Sequence, residues 1–236
     1  MNSKKAIAVI PARGGSKRIP KKNIREMLGK PMIGYTIEAA IKSGLFERVI
    51  VSTDCPDIAG ISKSLGAEVP FMRDQSIADD ITPVSAATLD ALNKVDPDAN
   101  KYAYICQLMA NCPMRDNMDI IASFDHFIKQ KARTQISVTK YGWLNPWWAM
   151  EMEKGKPLKP LFEEKLKERS QDLATLFCPT GAIWWATCDA LREEKTFHAP
   201  DRKGFELNWK NAVDIDDDDD WAMAEFLMTQ KFGVSR

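Results

Sequence analysis

The sequence predicts an α/β protein with a mostly parallel sheet and helices on both of its faces. Short apolar runs with strand character alternate with amphipathic helical segments through the first half of the chain. Strands separated by helices are typical of parallel βαβ units. A length of 236 residues suits one sizeable core. We therefore predict a single domain over residues 1–236 that carries one inserted segment.

The individual elements follow from hydrophobic period and turn residues. Apolar stretches bounded by Gly, Pro or Asp predict strands at 6–10, 48–52, 67–70, 102–106, 135–139, 181–186 and 212–216. Helical spacing predicts helices at 32–43, 55–65, 83–95, 118–131, 188–194 and 217–230. Ligands of such sheets bind beyond the carboxyl ends of the strands. The residues expected at that crevice are Arg13, Asp54, Met109 and Lys140.

Residues 141–170 interrupt the alternation of strands and helices. The segment carries Trp143, Trp147 and Trp148, several prolines and a charged run. We predict an inserted arm over 141–170. Exposed aromatic side chains on an arm mark a surface for a partner, and a lid or a local mini-core explains them equally well.

Composition excludes several classes of protein. The 33 basic residues balance the 33 acidic ones, so we expect neither general nucleic-acid binding nor membrane binding. No apolar stretch approaches the roughly 18 residues of a membrane span, and the first residues lack a signal-peptide pattern. Five cysteines without C-x-x-C spacing indicate reduced thiols. These features predict a cytoplasmic protein.

A basic glycine loop after the first strand predicts a polyphosphate site. Residues 10–23 read Ile-Pro-Ala-Arg-Gly-Gly-Ser-Lys-Arg-Ile-Pro-Lys-Lys-Asn. Glycine-rich backbone can approach a phosphate closely, and the cations can neutralise a leaving group. The loop matches neither the Walker pattern nor G-x-G-x-x-G. A solvated basic turn is the alternative, which the concentration of Gly and cations directly after a strand disfavours.

Two carboxylates near the end of the chain predict a metal site. On a strand, Asp214 and Asp216 would face the same side. Two such groups can share Mg²⁺. The alternative is that residues 214–220 are a solvated helix start with Asp as N-cap, which fits 217–220 better than the two residues flanking Ile215.

Two further polar groups have both a functional and a structural interpretation. Arg73, with Asp79, Asp80 and Thr82, could recognise a base and ribose, or form a capped loop with a surface ion pair. Residues 169–172, Arg-Ser-Gln-Asp, could clamp an anion, or end a charged surface helix.

The histidines and the paired tryptophans are assigned to structure. His126 lies in a predicted helix and His198 in a turn, and neither has the organised partners of a nucleophilic triad. Trp184 and Trp185 lie in a predicted strand, where a core position is favoured over a ligand platform.

The loop at 10–23 closely resembles the signature of cytidylyltransferases that activate nine-carbon α-keto acid sugars. These are the CMP-sialic acid synthetases and their pseudaminic and legionaminic relatives. Similar motifs follow in the family's order at 29–33, 51–54, 66–71, 113–115, 169–173, 180–183 and 213–216. The resemblance implies a nucleotide-diphospho-sugar transferase fold, which is Rossmann-like. It also implies transfer of CMP from CTP to the sugar with release of pyrophosphate, and a homodimer with exchanged arms.

The resemblance also implies roles for individual residues. Arg13, Lys22 and Asp216 are the expected catalytic set, and Asp214 with Asp216 would bind Mg²⁺. The residues expected around the nucleotide are Ala12, Arg13, Gly14, Gly15, Ser16, Lys22, Asn23, Arg73, Asp80 and Thr82. Those expected around the sugar are Met109, Arg169, Gln171 and Thr180.

The departures from the family pattern lie on the sugar side. Met109 stands where sialate enzymes carry Gln, Cys-Pro-Thr-Gly at 178–181 replaces Arg-Pro-Asn-Gly, and Asn-Pro at 145–146 replaces His-Pro. The motif for CTP is intact. We therefore expect an altered sugar, a modified nonulosonate of pseudaminic or legionaminic type. A CMP-octulosonate synthetase and a non-catalytic nucleotide-binding regulator are the alternatives; the Gly-Gly-Ser-Lys-Arg run disfavours the first, and the Asp pair the second.

Overall fold

The computed structural model describes residues 5–79 and 81–233, and a six-stranded sheet forms its centre. The strands are β1 (Ala6–Pro11), β2 (Glu26–Met27), β3 (Lys30–Pro31), β4 (Phe46–Ser52), β5 (Tyr104–Gln107), β6 (Thr134–Lys140), β7 (Met150–Glu151), β8 (Lys159–Pro160), β9 (Phe177–Thr187) and β10 (Lys203–Glu206). The helices are α1 (Met32–Lys42), α2 (Pro56–Ser64), α3 (Val84–Val95), α4 (Asn117–Lys129), α5 (Cys188–Glu194) and α6 (Asp218–Phe232).

The strand order in the central sheet is β10-β6-β9-β5-β1-β4. β1 pairs in parallel with β4 and β5, and β10 pairs in parallel with β6. β9 runs antiparallel to both β5 and β6, because it returns from the arm instead of crossing over through a helix. The prediction of a mostly parallel α/β sheet is thus confirmed.

Helices cover both faces of the sheet, as the burial of β1 shows. All six of its residues are buried, as expected for a strand with protein on each side. Ala8 and Ile10 pack in the cluster that includes Ile37 of α1. Ile7 packs in the opposite cluster, with Leu92 of α3. The sheet is therefore rigid at the point where β1 ends and the basic loop begins.

Two predicted strands are wrong. At 67–70 there is a single parallel bridge between Ile50 and Glu68, and Pro70 has no N–H with which to extend a ladder. Residues 212–216 are irregular. Their strand-like pattern has another cause: Val213 and Ile215 are buried in a cluster with Trp221 of α6. β10 and the β2–β3 hairpin were not predicted.

The arm at 141–170 combines a mini-core with an exposed tip. Trp147 donates through Nε1 to the Ala174 carbonyl at 2.8 Å and packs edge-on against Phe162 at 5.1 Å. Trp148 donates to the Lys165 carbonyl at 3.2 Å. Trp143, in contrast, is 88% exposed. Trp147 and Trp148 therefore fit the interpretation of a local mini-core, and the role of Trp143 in a surface for a partner stays a prediction.

The histidines and the paired tryptophans, to which the sequence assigns structural roles, are buried or contact other side chains. Trp184 and Trp185 are buried. His126 Nδ1 hydrogen-bonds Gln135 Oε1 at 2.7 Å, and the His198 ring packs on Trp184 at 4.9 Å. None of the helices described is both long and apolar enough to cross a membrane.

Candidate active site

A cavity of about 460 Å³ opens beyond the carboxyl ends of β1 and β5. The polar side chains that line it come from four distant parts of the chain: Arg13, Ser16, Lys17, Arg18, Lys22 and Asn23, then Arg73, Asp79 and Thr82, then Asn111, and finally Asp216. Met109 contributes an apolar wall. The predicted crevice thus contains Arg13 and Met109. Asp54 lies outside the cavity lining and contacts the basic loop. Lys140 lies away from the cavity and forms an ion pair with Glu206 at 3.2 Å.

The basic loop is held in shape by hydrogen bonds to its own backbone. Gly14 N–H donates to Asp54 Oδ1 at 2.9 Å, and Asn23 Nδ2 donates to the Arg13 carbonyl at 3.0 Å. A Cβ on Gly14 would lie 2.8 Å from the Cβ of Cys55, so glycine is needed there for a close approach of backbone. Ala12 is buried behind the loop and Gly15 is exposed at its turn.

Two loop cations converge on Asp216. Lys22 Nζ lies 3.0 Å from Asp216 Oδ1 and donates to the Ile215 carbonyl at 2.5 Å. Arg18 lies 2.8 Å from the other carboxylate oxygen. Partial burial favours the neutral acid, yet the hydrogen bonds from Lys22 and Arg18 outweigh it and lower the pKa of Asp216. The cations of Lys22 and Arg18 thus form ion pairs with the carboxylate of Asp216 within the site.

Asp214 behaves differently from its neighbour. The residue is exposed to solvent, yet neighbouring protein replaces part of the hydration of its carboxylate. Desolvation, followed by the charge of Asp216, raises the pKa of Asp214 to about 6. Asn111 Nδ2 donates a hydrogen bond to Asp214 Oδ1.

The segment with the two carboxylates is anchored on both sides. Val213 and Ile215 are buried beneath it. Beyond it, Asp217 caps α6 by accepting from Asp220 N–H at 3.0 Å, and Asp220 Oδ2 accepts from Asp216 N–H at 2.9 Å. The capping interpretation therefore holds for Asp217 and Asp220. Asp216 lines the cavity, and Asp214 is hydrogen-bonded to Asn111 of the cavity wall.

Arg73 forms a nearly buried wall of the cavity. It is 7% exposed, and its guanidinium donates to Ser52 Oγ at 3.1 Å and to the Ser52 carbonyl. Elsewhere on the cavity wall, Arg13 Nη1 donates to the Asp79 carbonyl at 2.7 Å. The Asp79 side chain accepts from Thr82 N–H at 2.6 Å, which fits the capped-loop interpretation. Asp80 lies outside the described residues.

The predicted sugar residues are not brought together. Met109 lines the cavity and packs on Gly181, where an added Cβ would lie 2.8 Å from Met109 Cγ. Thr180 is buried and its hydroxyl bonds Ser137 Oγ at 2.7 Å. Arg169 is exposed and pairs with Asp172 at 2.9 Å, and Gln171 is exposed as well. For all four residues, Met109 included, the sugar role stays a prediction.

Sequence reasoning missed Asn111. The residue lies just past β5, lines the cavity and bonds the segment that carries Asp214. The available signal was its place two residues after Met109, beyond the end of a predicted strand. No cluster of three or more His, Cys, Asp or Glu suited to a metal occurs within residues 5–79 and 81–233, so a metal here would depend on Asp214, Asp216 and a ligand.

Comparisons with known proteins identify the family of this chain. The profile of the cytidylyltransferase family matches residues 7–145. A pseudaminic acid cytidylyltransferase of Campylobacter jejuni (strain 81-176) is 32% identical over 94% of this chain and 96% of its own. A CMP-N,N'-diacetyllegionaminic acid synthase of Legionella pneumophila is 33% identical over 94% of this chain and 95% of its own.

A solved structure shows the same fold at lower identity. A CMP:2-keto-3-deoxy-manno-octonic acid synthetase, solved with CTP, superposes with a TM-score of 0.71 at 18% identity, covering 96% of this chain and 99% of that one. The family predicted from the motifs is confirmed by the matched profile and the two relatives above 30% identity. This chain belongs to the cytidylyltransferase family of enzymes.

Proposed function

We propose that this enzyme transfers CMP from CTP to the anomeric hydroxyl of a nine-carbon α-keto acid sugar. The sugar oxygen attacks the α-phosphorus and forms the new P–O bond. The bond between the α-phosphorus and the α,β-bridging oxygen breaks, pyrophosphate leaves with its electrons, and the hydroxyl proton passes to solvent. The observation that carries the proposal is the meeting of the basic loop and Asp216 in one cavity. Lys22 and Asp216 lie 3.0 Å apart, and Asp214 is hydrogen-bonded to Asn111 of the cavity wall.

The cations of the loop have a defined task in this reaction. Arg13, Arg18 and Lys22 line the cavity, and fixed cations stabilise the charge that grows on a departing pyrophosphate. Without nucleotide, Lys22 and Arg18 neutralise Asp216. A bound triphosphate competes for both cations, so binding exchanges these ion pairs for contacts to phosphate and releases the carboxylate.

The residues present fit a single hard cation such as Mg²⁺. Mg²⁺ uses one or two carboxylates together with substrate phosphates and water, and Asp214 and Asp216 are two carboxylates at the nucleotide cavity. Desolvation and, after it, the charge of Asp216 raise the pKa of Asp214, and a divalent cation would favour the charged form of that carboxylate. When bound, Mg²⁺ would neutralise phosphate charge and acidify the attacking hydroxyl.

The sugar is proposed to be a modified nonulosonate of pseudaminic or legionaminic type. Met109 places an apolar thioether in the cavity wall where sialate enzymes carry a polar Gln. The two relatives described above, which match nearly all of this chain, are named for these sugars. The octulosonate alternative has weaker support, because the octonic acid synthetase is similar at 18% identity, a level that speaks for fold alone.

We further propose a cytoplasmic homodimer that uses the arm as its interface. Apolar side chains on the arm are exposed, among them Trp143, Leu144, Met152 and Leu158. Exposed apolar groups clustered on one segment are typical of a surface for a partner. The five cysteines are all free, which supports a reducing compartment.

The test is pyrophosphate release from CTP across a panel of keto-acid sugars, with and without Mg²⁺. Release that requires Mg²⁺ and a pseudaminic or legionaminic acid is expected. Preference for a 3-deoxy-octulosonate would favour the octulosonate synthetase. CTP binding without release for any sugar would favour the non-catalytic regulator.

A further inference from the structure

Asn111 joins the strand side of the cavity to the carboxylate segment. It is 7% exposed and lines the cavity just past the end of β5. Its backbone carbonyl accepts from Ile215 N–H at 3.0 Å. Its side-chain amide donates to the Ile215 carbonyl at 3.1 Å and to Asp214 Oδ1. One buried residue thus holds both the main chain of this segment and the carboxylate that it carries.

The other polar contacts between this segment and the cavity wall come from two cations, which are also proposed to bind the triphosphate. Lys22 donates to the same Ile215 carbonyl and pairs with Asp216, which Arg18 also contacts. Since a triphosphate attracts both cations, these contacts weaken when nucleotide binds. The amide of Asn111 is neutral and nearly buried, so a phosphate has little to gain from displacing it.

We propose that Asn111 is a positioning residue that keeps Asp214 oriented toward the metal after Lys22 and Arg18 have moved to the nucleotide. The inference rests on the proposed function, since it assigns to Asp214 a cation shared with CTP. Partners that orient a metal-binding carboxylate set metal affinity strongly, and their loss typically costs about 10–100-fold. Asn111 itself contacts neither metal nor reacting atoms.

The test compares Asn111→Ala and Asn111→Leu with the wild-type enzyme. Both remove the donors, and Leu keeps nearly the volume of the side chain. The matched control is Asn211→Ala, because Asn211 Nδ2 also donates to a carboxylate, Asp119 Oδ2, at 2.9 Å, but outside the cavity. Calorimetric titration with CTP in EDTA and in Mg²⁺ measures the gain in CTP affinity due to metal without any turnover.

In the Asn111 variants, CTP affinity in EDTA should match wild type, while the gain due to Mg²⁺ is lost. The Mg²⁺ concentration for half-maximal pyrophosphate release should rise about 10–100-fold. Asn211→Ala should behave as wild type in both assays. A wild-type gain from Mg²⁺ in both Asn111 variants, the same loss in Asn211→Ala, or weaker CTP binding in EDTA overturns the inference.

Failure of the proposed function looks different. Wild-type enzyme that gains CTP affinity from Mg²⁺ but releases no pyrophosphate with any keto-acid sugar contradicts the reaction. In that case the calorimetric comparison still decides whether Asn111 positions Asp214, since it needs no sugar. Thermal melts of all variants identify any that have lost the fold, and Asn111→Leu is the variant chosen to retain it.

Discussion

Replacing Asp214 with Asn should stabilise the folded protein while impairing catalysis. The carboxylate has a pKa of about 6, against an ordinary value of 3.8, so the folded state disfavours its charge. Between these two values the folded protein binds a proton that the unfolded chain has lost. Stability therefore falls as pH rises through this window and stays lower above it. The amide introduced by Asp214→Asn carries no charge at any pH, so the folding stability of the variant does not fall in this window.

The expected size of the effect follows from the same difference. At about 1.36 kcal/mol per pKa unit, the difference between the two pKa values of Asp214 corresponds to at most about 3 kcal/mol of folding stability. Because the carboxylate is accessible to solvent, screening reduces the figure, and we expect about 1 kcal/mol. Urea denaturation in EDTA at a series of pH values measures it: Asp214→Asn should match wild type near pH 4 and exceed it by about 1 kcal/mol near pH 7.

A matched control gives the opposite sign. Asp219 lies in the first turn of α6, where a negative charge stabilises the helix, so Asp219→Asn should lose about 0.3–1 kcal/mol. If Asp214→Asn were destabilised at neutral pH, or if its difference from wild type did not change with pH, the electrostatic account of Asp214 would be wrong. Pyrophosphate release by Asp214→Asn should fall sharply if Asp214 has the metal-binding role proposed for it.

Three further predictions concern the loop and the arm. Arg13→Ala should fold normally but lower turnover about 10²–10³-fold; near-normal pyrophosphate release would remove Arg13 from the site. Gly14→Ala should weaken CTP binding in calorimetry, because the new Cβ would lie 2.8 Å from that of Cys55, whereas Gly60→Ala, with no atom within 4 Å, should not. Light scattering should give the mass of a dimer, which Trp143→Ser weakens; a monomeric wild type would contradict an exchanged arm.

The basic loop could be predicted because phosphate recognition, the role proposed for it, is a local property. It needs backbone that approaches closely and cations nearby, and residues 10–23 supply both in one contiguous segment. The alternation of strands and helices is local in the same sense. The antiparallel direction of β9 was not predictable from it, because that direction depends on how the arm returns the chain to the sheet.

The secondary structure predicted for the segment of the Asp pair is wrong, and its role as a metal site stays a prediction. The sequence predicts a strand, on which Asp214 and Asp216 would share a face, but the segment is irregular. Val213 and Ile215 are buried, whereas Asp216 lines the cavity and Asp214 bonds Asn111 of its wall. Alternation of polar and apolar residues therefore indicates which side faces the core without requiring a ladder of hydrogen bonds.

By itself, the sequence determined the α/β class, the family and the position of the basic glycine loop after the first strand, since each is encoded in contiguous residues. Only the tertiary structure decided that Lys22 meets Asp216, 194 residues away, and that Asn111 holds Asp214. The raised pKa of Asp214 belongs to the same level, because desolvation and the charge of Asp216 act through space. Features of contiguous residues can be read from the sequence, whereas the balance of charge in the site depends on distant segments that only the tertiary structure packs together.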